Sequence, residues 1–233
     1  EFNKLKKRHL LSLEQAKESP KSVINNYFNQ LIFKGNGYNA IVRGDRNSVD
    51  ALSIEQLKAH YSKWYQPKNA AVVVVGDFES AAMKRKLKQL FAGWKNTGEA
   101  VQKSVVAAKA ASKANVLLVN KADASESTFL IGGKGIAQDN PDRVGLSVIN
   151  TILGGRFTSW LNDELRVNAG LTYGARSRFS SFSSDGSFAI STFTRSETTV
   201  EAIDLALETY NRLWKKGIDK ATLDSAKAYV KGQ

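Results

Sequence analysis

Cysteine is absent from the 233-residue sequence, which excludes disulfides, thiolate metal sites and a cysteine nucleophile from this segment. The absence fixes no compartment, because a cysteine-free chain tolerates either redox environment. Histidine is almost as scarce, with His9 and His60 the only two. Neither belongs to an H-x-x-E-H or H-E-x-x-H pair, in which the spacing aims two imidazoles at one metal. No G-x-S-x-G elbow is present, so Ser/His/Asp chemistry has no anchor. The longest apolar run, Ala70–Val75, falls far short of the ~20 residues needed to cross a bilayer, and no transmembrane segment is expected. No signal or transit pattern opens the chain. Glu1 already lies in a charged helical pattern, and the segment is expected to be cut from something longer.

What is present describes an ordinary globular chain, 42% hydrophobic and 9% aromatic. The formal net charge is +12, which suits nucleic acid, an anionic membrane or acidic peptides. Its distribution weakens the first two. The cations are spread over many helices, as in Lys84, Arg85, Lys86 and Lys88 or Lys215 and Lys216, and read as solvated helix faces. No RNA-binding aromatic motif, zinc finger or basic zipper occurs, and nucleic acid is not expected as a partner.

Along the chain, residues 2–18 read as a helix of mixed charge. Ser19-Pro20 restarts the chain, with Pro at the first helical position. Val23, Ile24, Tyr27, Phe28, Leu31 and Ile32 then share one apolar face. Lys34–Asn39 reads as a loop. Ser53-Ile54-Glu55-Gln56 is a capping-box pattern that opens a helix ending before Pro67, with Leu52 and Leu57 placed as a hydrophobic staple. Ala70–Gly76, a run of valines bounded by Asn69 and Asp77, predicts a buried strand. A helix over 80–94 follows, with Met83, Leu87, Leu90 and Phe91 inward. Residues 95–114 show no apolar period and form the expected linker.

The second half predicts strands at Val116–Asn120 and Ser127–Gly132, then a helix from Asn140-Pro141 to Leu153, stopped by Gly154-Gly155. A helix over 158–168 closes at Gly170. Strands at Leu171–Phe179 and Gly186–Thr194 are joined by the turn residues Ser183-Ser184-Asp185. A long helix over 197–216 presents Val200, Ile203, Leu207, Tyr210, Leu213 and Trp214, and a last helix begins near Asp219. The class is α+β, a two-layer arrangement with long amphipathic helices on one face of a sheet.

Ile131-Gly132-Gly133-Lys134-Gly135 lacks the phosphate-loop spacing and a following Ser or Thr, and reads as a strand end with glycines permitting close approach. The stretch from Leu153 to Arg166, running on to Gly170-Leu171-Thr172-Tyr173, carries more. Arg166 lies in the last turn of a helix, where its charge suits the helix dipole. A reversal at Gly170 would bring its guanidinium and the Tyr173 phenol to one side. On the residues alone, a capped helix followed by an ordinary strand aromatic is the favoured reading.

Gly-Gly-Arg-Phe-Thr-Ser-Trp-Leu, then Glu164-Leu165-Arg166 and Gly170-Leu171-Thr172-Tyr173, resembles the second domain of insulinase-like (pitrilysin family) zinc metallopeptidases. Ser48-Val49, Leu52-Ser53, Leu57 and the run from Tyr65 to Asp77 resemble the latter part of that family's first domain. The resemblance implies that 1–94 is the latter part of one insulinase-like domain, 95–114 a linker, and 115–233 the front part of a second, incomplete at both ends. It implies catalytic roles for Arg166 and Tyr173, with Gly170 and Leu171 at the substrate. The implied function is the portion of a zinc-dependent endopeptidase that binds no zinc itself and is inactive alone, contributing peptide binding and transition-state stabilisation. The alternative is a non-proteolytic structural or assembly subunit of the same fold. No cofactor is expected in this segment, zinc coming from the N-terminal region or from a homologous partner chain. The family's third zinc ligand aligns with Ser12, or with Glu14 after a two-residue slip. A peptide substrate, a zinc-bearing homologous chain or domain and a homo-oligomer are the expected partners, and a bacterial periplasm or cell envelope the expected location.

Overall fold

The computed structural model describes residues 1–96 and 113–233, so most of the expected linker lies outside the described residues. In chain order the helices are α1 (Phe2–Ala16), α2 (Pro20–Ile32), α3 (Arg46–Asp50), α4 (Ile54–Trp64), α5 (Ser80–Leu90), α6 (Arg143–Asn150), α7 (Trp160–Asn162), α8 (Thr199–Lys215) and α9 (Lys220–Lys231). The strands are β1 (Glu126–Lys134), β2 (Arg176–Ser181) and β3 (Gly186–Arg195). Side-chain caps hold the starts of α3, α4, α5 and α9. In α4 the Gln56 amide donates to Ser53 Oγ at 3.2 Å while the Ser53 amide donates to Gln56 Oε1 at 2.8 Å, the reciprocal capping box its sequence predicts. The short α3 was not expected. It opens on a similar box between Asp45 and Ser48. Pro20 stands at the first turn of α2, where a missing N–H costs nothing.

Two compact units are present, Glu1–Glu14 with Arg43–Val105 and Gln15–Val42 with Val106–Gln233. Gln15–Val42 thus packs with the second half of the chain, a grouping that sequence order does not suggest.

In the first unit, polar ties dominate. Arg43 donates to Ser12 Oγ at 2.7 Å, Arg46 pairs with Glu14 at 2.9 Å, and His9 bonds the Arg43 carbonyl at 2.8 Å. Among the described residues, none of its α-helices buries a residue. The expected buried strand Ala70–Gly76 is not one. It is unpaired and exposed, Val73 to 83%, because no strand among the described residues lies beside it to accept its ladder. Leu90 and Phe91, expected inward on α5, are likewise exposed.

The second unit holds the sheet, antiparallel in the order β1-β3-β2, with Glu126 opposite Arg195 and Arg176 opposite Ser191. Leu153, Leu161, Leu165, Ala175, Ile190 and Ala206 form its core, flanked by Ile131, Phe188, Leu205, Tyr210 and Leu213. The buried stripe of α8 is Ala202, Ala206 and Thr209, while Val200 and Trp214 face solvent. Small residues let the helix approach closely, and of the apolar residues that the sequence favoured Tyr210 and Leu213 flank the core whereas Val200 and Trp214 do not. On α2, Tyr27 and Leu31 also lie exposed on the predicted apolar face. The expected strand Val116–Asn120 is unpaired and exposed. Against one end of β3, Phe33 (fully buried), Tyr38 and Phe182 form an aromatic cluster, the last two stacked with centroids 4.5 Å apart. Beneath it the buried Asp185 carboxylate accepts from Lys134 and from Asn36.

Candidate functional site

The glycine pair at 154–155 does more than stop α6. The chain from Thr151 to Gly155 runs as a wide π-type turn, and a Cβ on Gly154 would stand 2.3 Å from the Ser177 backbone nitrogen. That contact seats the turn on β2. After α7, the chain from Asp163 to Asn168 widens again into a π-type turn that carries Arg166. Gly170 then adopts φ +64°, a left-handed conformation that suits glycine at a helix end. The Leu171 amide reaches back to the Leu165 carbonyl at 2.8 Å and closes the turn.

Strand β2 begins only at Arg176, five residues later than the sequence suggests. Residues 171–175 are instead a loop pinned from below by buried hydroxyls and an amide. Thr194 Oγ1 donates to the Leu171 carbonyl at 2.7 Å, and Thr192 Oγ1 to the Gly174 carbonyl at 3.0 Å. Asn162 accepts from the Ala175 amide at 2.9 Å and donates to the Phe157 carbonyl at 3.0 Å. Leu171 and Thr172 are buried, and Tyr173 between these anchors is 85% exposed.

Arg166 and Tyr173 therefore sit at the two ends of one rigid reversal, each resting on its own ring. The Arg166 guanidinium lies 4.6 Å from the Phe157 centroid, a cation–π contact. Tyr173 stacks obliquely on Phe193 with centroids 6.5 Å apart. Gly170 supplies the turn, and Leu171 points inward rather than outward. The supporting Asn162, Thr192 and Thr194 went unnoticed in the sequence. A threonine at alternate positions of β3, on the side of buried Ile190, was the available signal.

The residues present do not fit a zinc site, which needs three protein ligands. Among the described residues no group of three or more His, Asp or Glu side chains is gathered to hold a metal. His9 is engaged by the Arg43 carbonyl, and His60 lies 6.1 Å from the Trp64 ring. Ser12 and Glu14 are each held by an arginine. No helix among the described residues is long and apolar enough to cross a membrane.

With this geometry in view, the model of the peptidase M16 inactive domain matches residues 51–230. The chain belongs to the M16 inactive-domain family. Uncharacterized zinc protease YmxG of Bacillus subtilis is similar to it, 22% identical over 99% of this chain and 56% of YmxG. The M16 inactive domain from Pseudomonas fluorescens superposes with a TM-score of 0.88 at 26% identity, covering 100% of this chain and 56% of that one. A protease from Helicobacter pylori shares the fold, with a TM-score of 0.89 at 24% identity over 100% of this chain and 57% of that chain. The chain spans about half the length of the curated relatives it matches. Membership of the M16 family agrees with the resemblance carried by the 153–173 stretch and the 48–77 stretch, and the mixed helical and antiparallel architecture is that of its M16 neighbours.

Proposed function

We propose that this M16 inactive domain is the Arg/Tyr-bearing portion of a zinc-dependent endopeptidase, contributing peptide binding and transition-state stabilisation. The observation that supports it is Tyr173 itself, a phenol left open to solvent on a backbone fixed by buried hydrogen bonds. Such a rigid, exposed donor suits an oxyanion, whose stabilisation depends on donors that need no reorganisation. The Tyr173 hydroxyl donates to the oxygen on which charge develops. Arg166 holds a substrate carbonyl with its fork of N–H donors. Gly170 shapes the edge along which the peptide lies, and the buried Leu171, its amide and carbonyl both engaged, anchors that edge from within. Zinc and the general base belong, in this reading, to the rest of the longer protein or to a homologous partner chain, and a bacterial periplasm or cell envelope is the proposed location. Residues 1–94 and 115–233 are then parts of successive domains.

The test is peptide hydrolysis by the zinc-bearing portion combined with wild-type or variant chain. Tyr173→Phe lowers kcat about 10²-fold, roughly 3 kcal/mol, the size seen on removing an oxyanion-hole donor. Equal turnover by the two would favour a structural or assembly subunit of the same fold.

A further inference from the structure

The sheet has two faces: one packs on the core, and the start of α2 meets the other, with Lys21 over Phe193. Thr194, Thr192, Ile190 and Phe188 of β3 point toward the core. The alternate residues Arg195, Phe193, Ser191 and Ala189 therefore lie on the opposite face. The cross-strand register places Arg176 of β2 beside Ser191 and Arg178 beside Ala189, so both arginines share that face. Strand β2 is at the edge of the sheet. Arg176, Arg178 and Ser191 are exposed. Arg195 has Glu126 directly opposite it, a local counter-charge, whereas neither Arg176 nor Arg178 has a carboxylate partner among the described residues. Lys21, from the first turn of α2, adds a third cation, its Nζ 3.2 Å from the Phe193 centroid. Phe193 in turn carries Tyr173, which ties this face to the candidate site.

We propose that this face is a subsite for acidic side chains of an extended peptide, with Arg176 and Arg178 as the specificity-determining residues; it rests on the peptide-binding reading given above. Charge complementarity selects the class. Two arginines with no carboxylate partner among the described residues, beside the small residues Ser191 and Ala189, leave room for a carboxylate to approach edge-on and take a bidentate contact. Spacing selects a peptide over nucleic acid. Residues two apart in a strand are separated by about 6.6 Å, the same repeat as alternate side chains of an extended peptide lying alongside.

The experiment is fluorescence anisotropy with the 233-residue chain and a labelled peptide bearing Glu at alternate positions, against its Gln and Lys analogues. The Glu peptide is expected to bind about tenfold tighter than the Gln peptide, the order supplied by two exposed Arg–carboxylate contacts, and to lose that advantage as salt rises. In R176Q/R178Q the Glu and Gln peptides bind alike, at the wild-type affinity for Gln. In R176E/R178E the order inverts in favour of the Lys peptide, a result that misfolding cannot produce. A Glu preference that survives in R176Q/R178Q overturns the proposal. Equal wild-type binding of Glu and Gln peptides overturns the subsite alone, whereas failure of every peptide to bind removes the peptide-binding reading with it. Displacement of the Glu peptide by an equal concentration of single-stranded DNA of the same length would assign the face to nucleic acid instead.

Discussion

Thr194 joins two parts of the candidate site through one hydroxyl, donating to the Leu171 carbonyl at 2.7 Å and meeting Thr198 Oγ1 at the same distance. Thr194→Val keeps the shape and leaves that carbonyl buried without its partner, so unfolding stability should fall by about 1–3 kcal/mol in urea titration. If the loop serves Tyr173, turnover of the reconstituted enzyme falls as well, and Thr194→Ser restores both. Arg166 behaves differently. Its side chain is partly exposed over Phe157, so Arg166→Lys should change stability by less than about 0.5 kcal/mol. Hydrolysis should still drop, because an ammonium cannot reproduce the fork. Arg166 and Tyr173 are visible in the sequence because they stand in a distinctive run around Gly170. The threonines beneath them are not, since their work depends on which side of β3 is buried, and strand alternation alone does not name the buried side.

Where a cap is present it sets the start of its element, as α9 shows. Asp219 accepts from the Thr222 hydroxyl at 2.6 Å and the Thr222 amide at 2.9 Å. The hydroxyl chiefly, then the amide, holds the carboxyl below its ordinary value. A carboxyl depressed in the folded state contributes stability above its unfolded value, and that contribution is lost as pH falls through the folded one. Protection of the Thr222 amide from hydrogen exchange should therefore weaken in acid, and Asp219→Asn, a cap without a titrating proton, should remove that dependence. Helices announced by local chemistry, the caps of α4 and α9 and the proline that opens α2, were legible. Strands were less so. Ala70–Gly76 and Val116–Asn120 have strand composition, but a ladder is a property of two segments, and the second is missing among the described residues. The wide turns also escaped the sequence, because the reason for Gly154 lies across space at Ser177. Gly154→Ala should destabilise by roughly 1–3 kcal/mol through that backbone clash, measured by thermal or urea unfolding.

Across the whole molecule the apolar surface is unevenly spent. The second unit has a core, whereas among the described residues no α-helix of the first unit buries a side chain, and Val73, Val75, Val116 and Leu118 are largely exposed. Exposed apolar segments with open backbone favour association. Sedimentation at rising concentration should show reversible self-association despite the net charge of +12, and a concentration-independent monomer that binds no hydrophobic dye would refute it. Metal analysis after dialysis should find less than one zinc per chain, since no three ligands converge among the described residues. The passage of Gln15–Val42 into the second unit has a kinetic consequence. Tyr38 bonds Ser183 across 145 residues of sequence and Phe33 packs on Phe182, so that end of the sheet cannot close until synthesis has passed residue 183. Loops that long are slow to close, and refolding should show a late phase in which the Phe33–Tyr38–Phe182 cluster forms last, after the helices are already in place.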